Sequence, residues 1–136
     1  MHAEVIWKGG LAFTGRADHG YSIEMAAPTE SDSGASPMDL VLIALAGCTA
    51  TDVISILQKK RQQVTNFDVH VRAEKAEDHP RVFTAASVEY IVTGNGVRLD
   101  AVERAVELPR TKYCPAHAML QQALPLEFSY RVQAAA

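Results

Sequence analysis

Residues 35–62, "ASPMDLVLIALAGCTATDVISILQKKRQ", carry the strongest helical pattern in this 136-residue chain. Ser36 can cap a helix, Pro37 suits its first position, and Asp39 lies where the acid of a capping box reaches back. From Leu40 to Ala46 every side chain is apolar, which predicts a half-helix that is buried on all sides. The stretch ends in lysines and an arginine, which favour the negative end of a helix dipole.

Beyond the apolar half the pattern becomes amphipathic, and its inward positions are expected to be Val53, Ile54, Ile56 and Leu57. A helix of roughly 25 residues that is buried all round at one end needs more apolar cover than one small sheet provides. We therefore expect a second copy of the chain to complete the core, as a homodimer.

The rest of the chain is organised by alternating apolar and polar residues, bounded by turn-forming residues. The expected elements are three strands within residues 2–26, a loop at 27–37, the long helix, strands at 66–76 and 82–94, helices around Asp100–Leu108 and from Pro115, and a strand at 126–133. This order predicts an α+β fold with antiparallel strands wrapped around a long central helix, in one domain of residues 1–136.

Composition excludes several classes of protein. The net charge of −3, without a basic block, argues against a nucleic-acid partner. The run Leu40–Ala46 is too short to span a bilayer, so no membrane partner is expected. Glu4 and Lys8 stand where a secretory signal needs apolar residues, which predicts a cytoplasmic protein. In that compartment two cysteines are free thiols, metal ligands or redox partners rather than a structural disulfide.

Cys114 has the clearest local chemistry of the two cysteines. Pro115 suits a first helical position, which makes Cys114 the N-cap. The free N–H groups and the positive helix end would stabilise a thiolate there. A packed thiol without chemistry is the alternative.

Cys48 lies in the middle of the long helix, where a thiolate loses hydration, so an inert core cysteine is one interpretation. Gly47 favours another, because glycine costs a helix about 1 kcal/mol relative to alanine and admits a close backbone or ligand. Thr49, Thr51 and Asp52 add polar groups. Asp52, one turn beyond Cys48, either holds an arginine beside the thiol or is a solvated acid.

Neighbouring residues leave further alternatives open. His117 makes "CPAH" a C-x-x-H pair that could begin a zinc site, but the other histidines lack ligand spacing, so no metal is expected. Arg16, Arg110 and Lys112 are candidate cations for a thiol if the fold brings one of them close.

With both cysteines placed, the chain resembles the OsmC/Ohr superfamily of thiol-dependent hydroperoxide reductases, and within it the YhfA-like subgroup. Residues 35–62 and 108–120, "LPRTKYCPAHAML", carry the resemblance through an S-P-M-[DE]-L helix start, a G-C centre and a distant K-Y-C. The resemblance implies an intertwined homodimer, with sheets around two central helices and active sites at the subunit interface. It also implies that Cys48 is the peroxidatic cysteine and Cys114 the resolving one.

The implied enzyme is a cysteine-based peroxidase that reduces organic hydroperoxides through a Cys48 sulfenic acid and a Cys48–Cys114 disulfide. An external dithiol, a lipoyl group or a small thiol would regenerate it, without a metal or organic cofactor. The hydroperoxide-resistance branch pairs an arginine with a glutamate near the first cysteine. Arg16 corresponds loosely to that arginine. Met38 occupies the glutamate position, and Asp39 points about 100° further around the helix.

Two other functions fit the same pattern of elements. A hotdog-type acyl thioesterase also wraps a sheet around one long helix, and Asp39 could serve as its acid. A non-catalytic module that binds an apolar ligand, with incidental cysteines, is the second.

Overall fold

The long helix and the strands are present in a computed structural model, which describes residues 1–27 and 34–136. The chain divides into two compact units, Met1–Val41 and Leu42–Ala136. The elements are β1 (Ala3–Gly9), β2 (Ala12–Ala17), β3 (Ser22–Ala26), α1 (Pro37–Lys59), β4 (Gln63–Lys75), β5 (Phe83–Asn95), α2 (Leu99–Leu108), α3 (Pro115–Leu120) and β6 (Leu126–Ala134). The α+β class is confirmed. The predicted loop at 27–37 lies largely outside the described residues.

The first unit contains an antiparallel meander in the order β1-β2-β3, as the alternation predicted. A short 3₁₀ turn, Asp18–Gly20, joins β2 to β3. Thr14 is buried and its hydroxyl donates to the Glu24 carboxylate at 2.9 Å. Val5 and Trp7, which alternate with Glu4 and Lys8 along β1, are both exposed.

The start of α1 is a capping box. The Ser36 N–H donates to Asp39 Oδ2 at 3.0 Å, and the Asp39 N–H donates to Ser36 Oγ at 3.1 Å. Each residue satisfies a backbone donor that the first helical turn leaves free, which confirms the predicted N-terminus.

The second unit contains the sheet β4-β5-β6, with β5 in the centre. The strands β4 and β5 are antiparallel, whereas β6 pairs with β5 in parallel, from Ala86 opposite Leu126 to Gly94 opposite Ala134. The parallel pair departs from the antiparallel arrangement expected for the whole sheet. Its cause is the connection, because α2 and α3 form the kind of helical crossover that parallel neighbours require.

The core of the second unit lies between one face of α1, the centre of β5 and α2. Its fully buried side chains are Leu45, Val53 and Leu57 of α1, Val88, Tyr90 and Val92 of β5, and Val102 and Ala105 of α2. Val53 and Leu57 are buried as predicted, while Ile54 and Ile56 are half-buried. Within Leu40–Ala46 only Leu45 is buried and Ile43 is 58% exposed, so the single chain does not bury this half on every side.

By length and composition α1 is long and apolar enough to cross a membrane, and its most apolar 18-residue window has a mean hydropathy of 2.2. The argument from the short run Leu40–Ala46 therefore fails, because Gly47, Cys48 and Thr49 do not end the apolar stretch. The core helix of a globular protein meets the same criterion, although only 22% of this apolar window is buried in the single chain.

The buried face of α1 predicts a stability difference between two leucines. Leu57→Ala removes a fully buried side chain and should lower the free energy of unfolding by about 2–5 kcal/mol. Leu99→Ala, at a position that is 59% exposed, is the matched control and should cost less than about 1 kcal/mol. Urea unfolding followed by circular dichroism measures both, and equal losses would contradict this description of the core.

Candidate functional site

Two sulfur atoms and a carboxylate meet in the second unit. The Sγ atoms of Cys48 and Cys114 and an oxygen of Asp52 all lie within 4.8 Å of one another. Cys48 and Asp52 are one turn apart on α1, and therefore share a face of the helix. Cys114 belongs to a different segment and lies immediately before α3. Of the five candidate site residues Cys48, Cys114, Arg16, Asp39 and Asp52, the structure thus brings Cys48, Cys114 and Asp52 together.

Local backbone geometry holds Cys114 in place. A π-helical turn, Pro109–Tyr113, ends at Cys114, whose N–H donates to the Pro109 carbonyl at 3.0 Å. The Cys114 Sγ accepts a hydrogen bond from the His117 N–H at 3.3 Å, so Cys114 is the N-cap of α3 as predicted. The thiol replaces the hydroxyl or carboxylate that usually fills this position.

The expected stabilisation of a Cys114 thiolate is wrong. Burial first, and then the hydrogen bond with Cys48, raise the pKa of Cys114 to about 11. The N–H groups of His117 and Ala116 act in the opposite direction but do not outweigh burial. Because Cys114 is only 3% exposed, desolvation of the anion dominates over the helix end.

Burial distinguishes the two sulfur atoms. Cys48 is half-buried, whereas Cys114 is buried. The raised pKa of Cys114 keeps the proton on the buried sulfur at neutral pH, and Cys48 is the more accessible of the two thiols.

The hydroxyls of the two threonines near Cys48 form hydrogen bonds with backbone carbonyls of the same helix. Thr49 Oγ1 donates to the carbonyls of Leu45 and Ala46, both at 3.2 Å, and Thr51 Oγ1 donates to the Gly47 carbonyl at 2.9 Å. Hydroxyls bonded back one turn need no solvent, so Thr49 can be fully buried. Polar residues here do not by themselves indicate a pocket.

The other predicted supporting residues, Arg16 and Asp39, belong to the first unit. Arg16 is exposed on β2, opposite Glu4 and Ser22 in the sheet register. The Asp39 carboxylate is engaged in the capping box, and Met38 beside it is 39% exposed. The contacts described for Arg16 and Asp39 explain sheet pairing and helix capping, and their role toward a thiol stays a prediction.

The cations near Cys114 are directed elsewhere. Arg110 pairs with Glu107 at 3.7 Å and lies over the Phe128 ring at 5.4 Å. The buried His117 ring meets Phe128 edge to face at 5.0 Å, and burial together with the Arg110 charge lowers the pKa of His117. His117 contacts Cys114 through its backbone N–H, so the C-x-x-H motif does not form a pair of side-chain ligands here.

Tyr90 is a residue of the site that the sequence analysis missed. It is fully buried on β5 between Phe67 and Phe128, with ring centroids 6.4 and 6.2 Å away. Burial raises the pKa of Tyr90 to about 12; Thr49 lowers it, and the charges of Cys114 and Asp52 raise it. Its hydroxyl makes no hydrogen bond of full geometry within the described part of the chain. Alternation along β5 indicates that Tyr90 points inward, but only the fold puts it beside the thiols.

Comparison with known proteins identifies similar chains over nearly the full length. The family model described as "OsmC-like protein" matches residues 30–129. Protein YhfA of Escherichia coli K12 is 44% identical over 135 residues, covering 99% of this chain and all of that protein. A hypothetical protein from Aquifex aeolicus has a similar solved structure, with a TM-score of 0.88, 27% identity, and coverage of 99% of this chain and 97% of that one. An organic hydroperoxide resistance protein OsmC from Legionella pneumophila shares the fold, with a TM-score of 0.70, 13% identity, and coverage of 95% and 94%.

Tyr90 and Cys114 predict a loss of stability at alkaline pH. Both pKa values are higher in the folded chain, about 12 against 10.0 for Tyr90 and about 11 against 9.0 for Cys114. The neutral forms therefore stabilise the fold fully below about pH 9, and this contribution is lost as the pH rises through about 11 and then 12. Urea unfolding at a series of alkaline pH values should show the free energy of unfolding falling in that window.

Tyr90→Phe tests the phenol separately. It should reduce the upper part of the alkaline loss, whereas Tyr21→Phe, at an exposed tyrosine, should leave the profile unchanged. A profile that Tyr90→Phe does not alter would contradict the assignment.

Proposed function

The chain belongs to the OsmC-like protein family, and we propose that it is a redox protein of that family that reduces organic hydroperoxides with Cys48 and Cys114. The observation that carries this proposal is the approach of the two sulfur atoms to within 4.8 Å. A disulfide needs them about 2.05 Å apart, so a local adjustment of Cys114 would suffice to join them. The Legionella protein that shares the fold is named for organic hydroperoxide resistance, which supports organic hydroperoxides as the proposed substrate class.

The first step oxidises Cys48. Its thiolate attacks the terminal oxygen of the hydroperoxide, an S–O bond forms, and the O–O bond breaks. The alkoxide takes a proton and leaves as an alcohol, and Cys48 becomes a sulfenic acid. Exposure supports the role of Cys48 here, because it is the more accessible of the two thiols.

The second step joins the two cysteines. The Cys114 sulfur attacks the sulfenic sulfur of Cys48, an S–S bond forms, and the hydroxyl leaves as water with the proton that Cys114 has kept. The high pKa of Cys114 suits this order of events, since a protonated Cys114 does not compete for the peroxide. An external dithiol, such as a lipoyl group, or small thiols then reduce the disulfide, and no metal or organic cofactor takes part.

The apolar character of α1 supports organic substrates over hydrogen peroxide. Cys48 lies one turn beyond Ala44 on the helix, and Ala44 is apolar and exposed. An alkyl or aryl group on the peroxide would be placed against such a surface at a gain of about 25 cal/mol per Å². The thioesterase alternative has less support, because its candidate acid, Asp39, already accepts a hydrogen bond in the capping box.

We further propose that the protein is a cytoplasmic homodimer. One strip of α1 is uncovered in the single chain, and its exposed members are Ile43, Ala44, Gly47 and Thr51. A Cβ atom built on Gly47 meets no atom of the described residues within 4 Å, so the strip has room for a second helix at short range. A second copy can present the same strip by two-fold symmetry. The cytoplasm would keep both thiols reduced.

Mass spectrometry after one equivalent of cumene hydroperoxide tests the proposed peroxidase. The reduced wild type should form a Cys48–Cys114 disulfide and release one equivalent of cumyl alcohol. In Cys114→Ser the sulfenic acid at Cys48 should persist and react with dimedone. In Cys48→Ser peroxide consumption should fall at least 100-fold. An intact Cys48 beside an oxidised Cys114 would contradict the assigned roles.

Sedimentation velocity tests the proposed dimer. The wild type should sediment as two 14.8 kDa chains, and Gly47→Leu should weaken the association at least 100-fold by blocking the close approach. Lys59→Leu places the same side chain on an exposed position of α1 outside the strip and should leave the dimer intact. A monomeric wild type, or recovery of the native protein with the membrane fraction, would contradict this proposal.

A further inference from the structure

We propose that the reduced site binds one thiophilic divalent cation of the Zn²⁺ type through Cys48, Cys114 and Asp52, and that cation binding and disulfide formation exclude each other. The second half of this inference rests on the proposed function. The first half concerns only the geometry and chemistry of three side chains.

The separations of the ligand atoms fit a small tetrahedral ion. Zinc binds thiolate sulfur at about 2.3 Å and carboxylate oxygen at about 2.1 Å, which puts neighbouring ligand atoms about 3.5–3.8 Å apart. The three atoms here lie within 4.8 Å of one another, so a contraction of about 1 Å closes the site. Cys48 and Asp52 are held one turn apart on α1, and Cys114 at the end of a loop turn can make the adjustment.

The donor set selects the class of metal. Two thiolates and one carboxylate favour Zn²⁺ and similar borderline or soft ions, whereas Mg²⁺ and Ca²⁺ prefer shells made entirely of oxygen. Three protein ligands leave a fourth position for water or a small external ligand. Cys48 and Asp52 are both partly exposed, which gives the ion a route to the buried Cys114.

The hydroxyl of Tyr90 is an independent observation that points to a ligand. It is fully buried and makes no hydrogen bond of full geometry in the described part of the chain. It lies near Thr49, which lowers its pKa, and it interacts electrostatically with Cys114 and Asp52. A phenol O–H can donate to a ligating thiolate or carboxylate and orient it, which is the usual role of groups around a metal site. The site differs from the C-x-x-H site that the sequence raised, because Asp52 takes the place of His117.

Cation binding and disulfide formation exclude each other because both use the same two sulfur atoms in different oxidation states. Binding M²⁺ displaces the thiol protons and changes no oxidation state. A hydroperoxide that oxidises the two thiolates takes up two electrons and two protons and becomes an alcohol and water. The sulfurs then form a disulfide, can no longer act as two thiolates, and M²⁺ is released. The cation therefore protects the dithiol and inhibits the peroxidase while it is bound.

Isothermal titration of the reduced, chelator-treated full-length protein with ZnCl₂ tests the inference. We expect one ion per chain, and Asp52→Asn should weaken binding at least 10-fold. Asp78→Asn makes the same acid-to-amide change at an exposed turn and should have no effect. Co²⁺ should give a thiolate-to-metal charge-transfer band that Cys114→Ser diminishes, which provides a second variant if Asp52→Asn fails to fold.

The oxidised protein separates this inference from the proposed function. Protein with a Cys48–Cys114 disulfide should bind no Zn²⁺, and bound Zn²⁺ should slow disulfide formation by cumene hydroperoxide at least 10-fold. The metal site would be overturned if the reduced protein bound no Zn²⁺, or if Asp52→Asn and Cys114→Ser both left the affinity for Zn²⁺ unchanged. Neither result would contradict the proposed peroxidase activity of the zinc-free protein. If the protein bound Zn²⁺ but formed no Cys48–Cys114 disulfide, the proposed peroxidase and the proposed exclusion between cation and disulfide would both be overturned. The metal site itself would then still be supported.

Discussion

The packing of one face of α1 against the centre of β5 and α2 is the constraint on which the candidate site depends. Leu45, Thr49, Val53 and Leu57 repeat every four residues and are all fully buried. Their burial determines the rotation of the helix about its axis. Cys48, next to Thr49 and one turn from Asp52, is thereby held at the edge of the packed face, where it is neither sealed in the core nor fully in water.

The second consequence of this packing is an asymmetry between the two thiols. The crossover from β5 to β6 passes through α2 and a π-helical turn before it reaches Cys114. That route leaves Cys114 buried, and burial keeps its proton on sulfur despite the helix N-terminus beside it. A protonated buried thiol beside a more accessible one suits the stepwise thiol oxidation that we propose. The same two sulfurs with Asp52 form the proposed ligand set, so the two proposals are alternative uses of one geometry.

The uncovered strip of α1 connects the fold to assembly. In the proposed homodimer a second copy covers apolar surface of α1 that the single chain leaves exposed. Small residues in the strip, with open space above Gly47, allow another helix to approach closely. In the proposed dimer the glycine beside Cys48 would serve helix packing, independent of the chemistry of the thiol.

The order and type of the elements could be predicted from the sequence, because periodicity, caps and proline positions are local. The capping box of Ser36 and Asp39 and the N-cap at Cys114 were predictable to the residue for that reason. Tertiary structure alone decided the parallel pairing of β6, the placement of Asp52 beside two sulfurs rather than an arginine, and the presence of Tyr90 at the site. It also reversed the expectation for Cys114, because desolvation depends on what surrounds a group in space, which neighbours in the sequence do not determine.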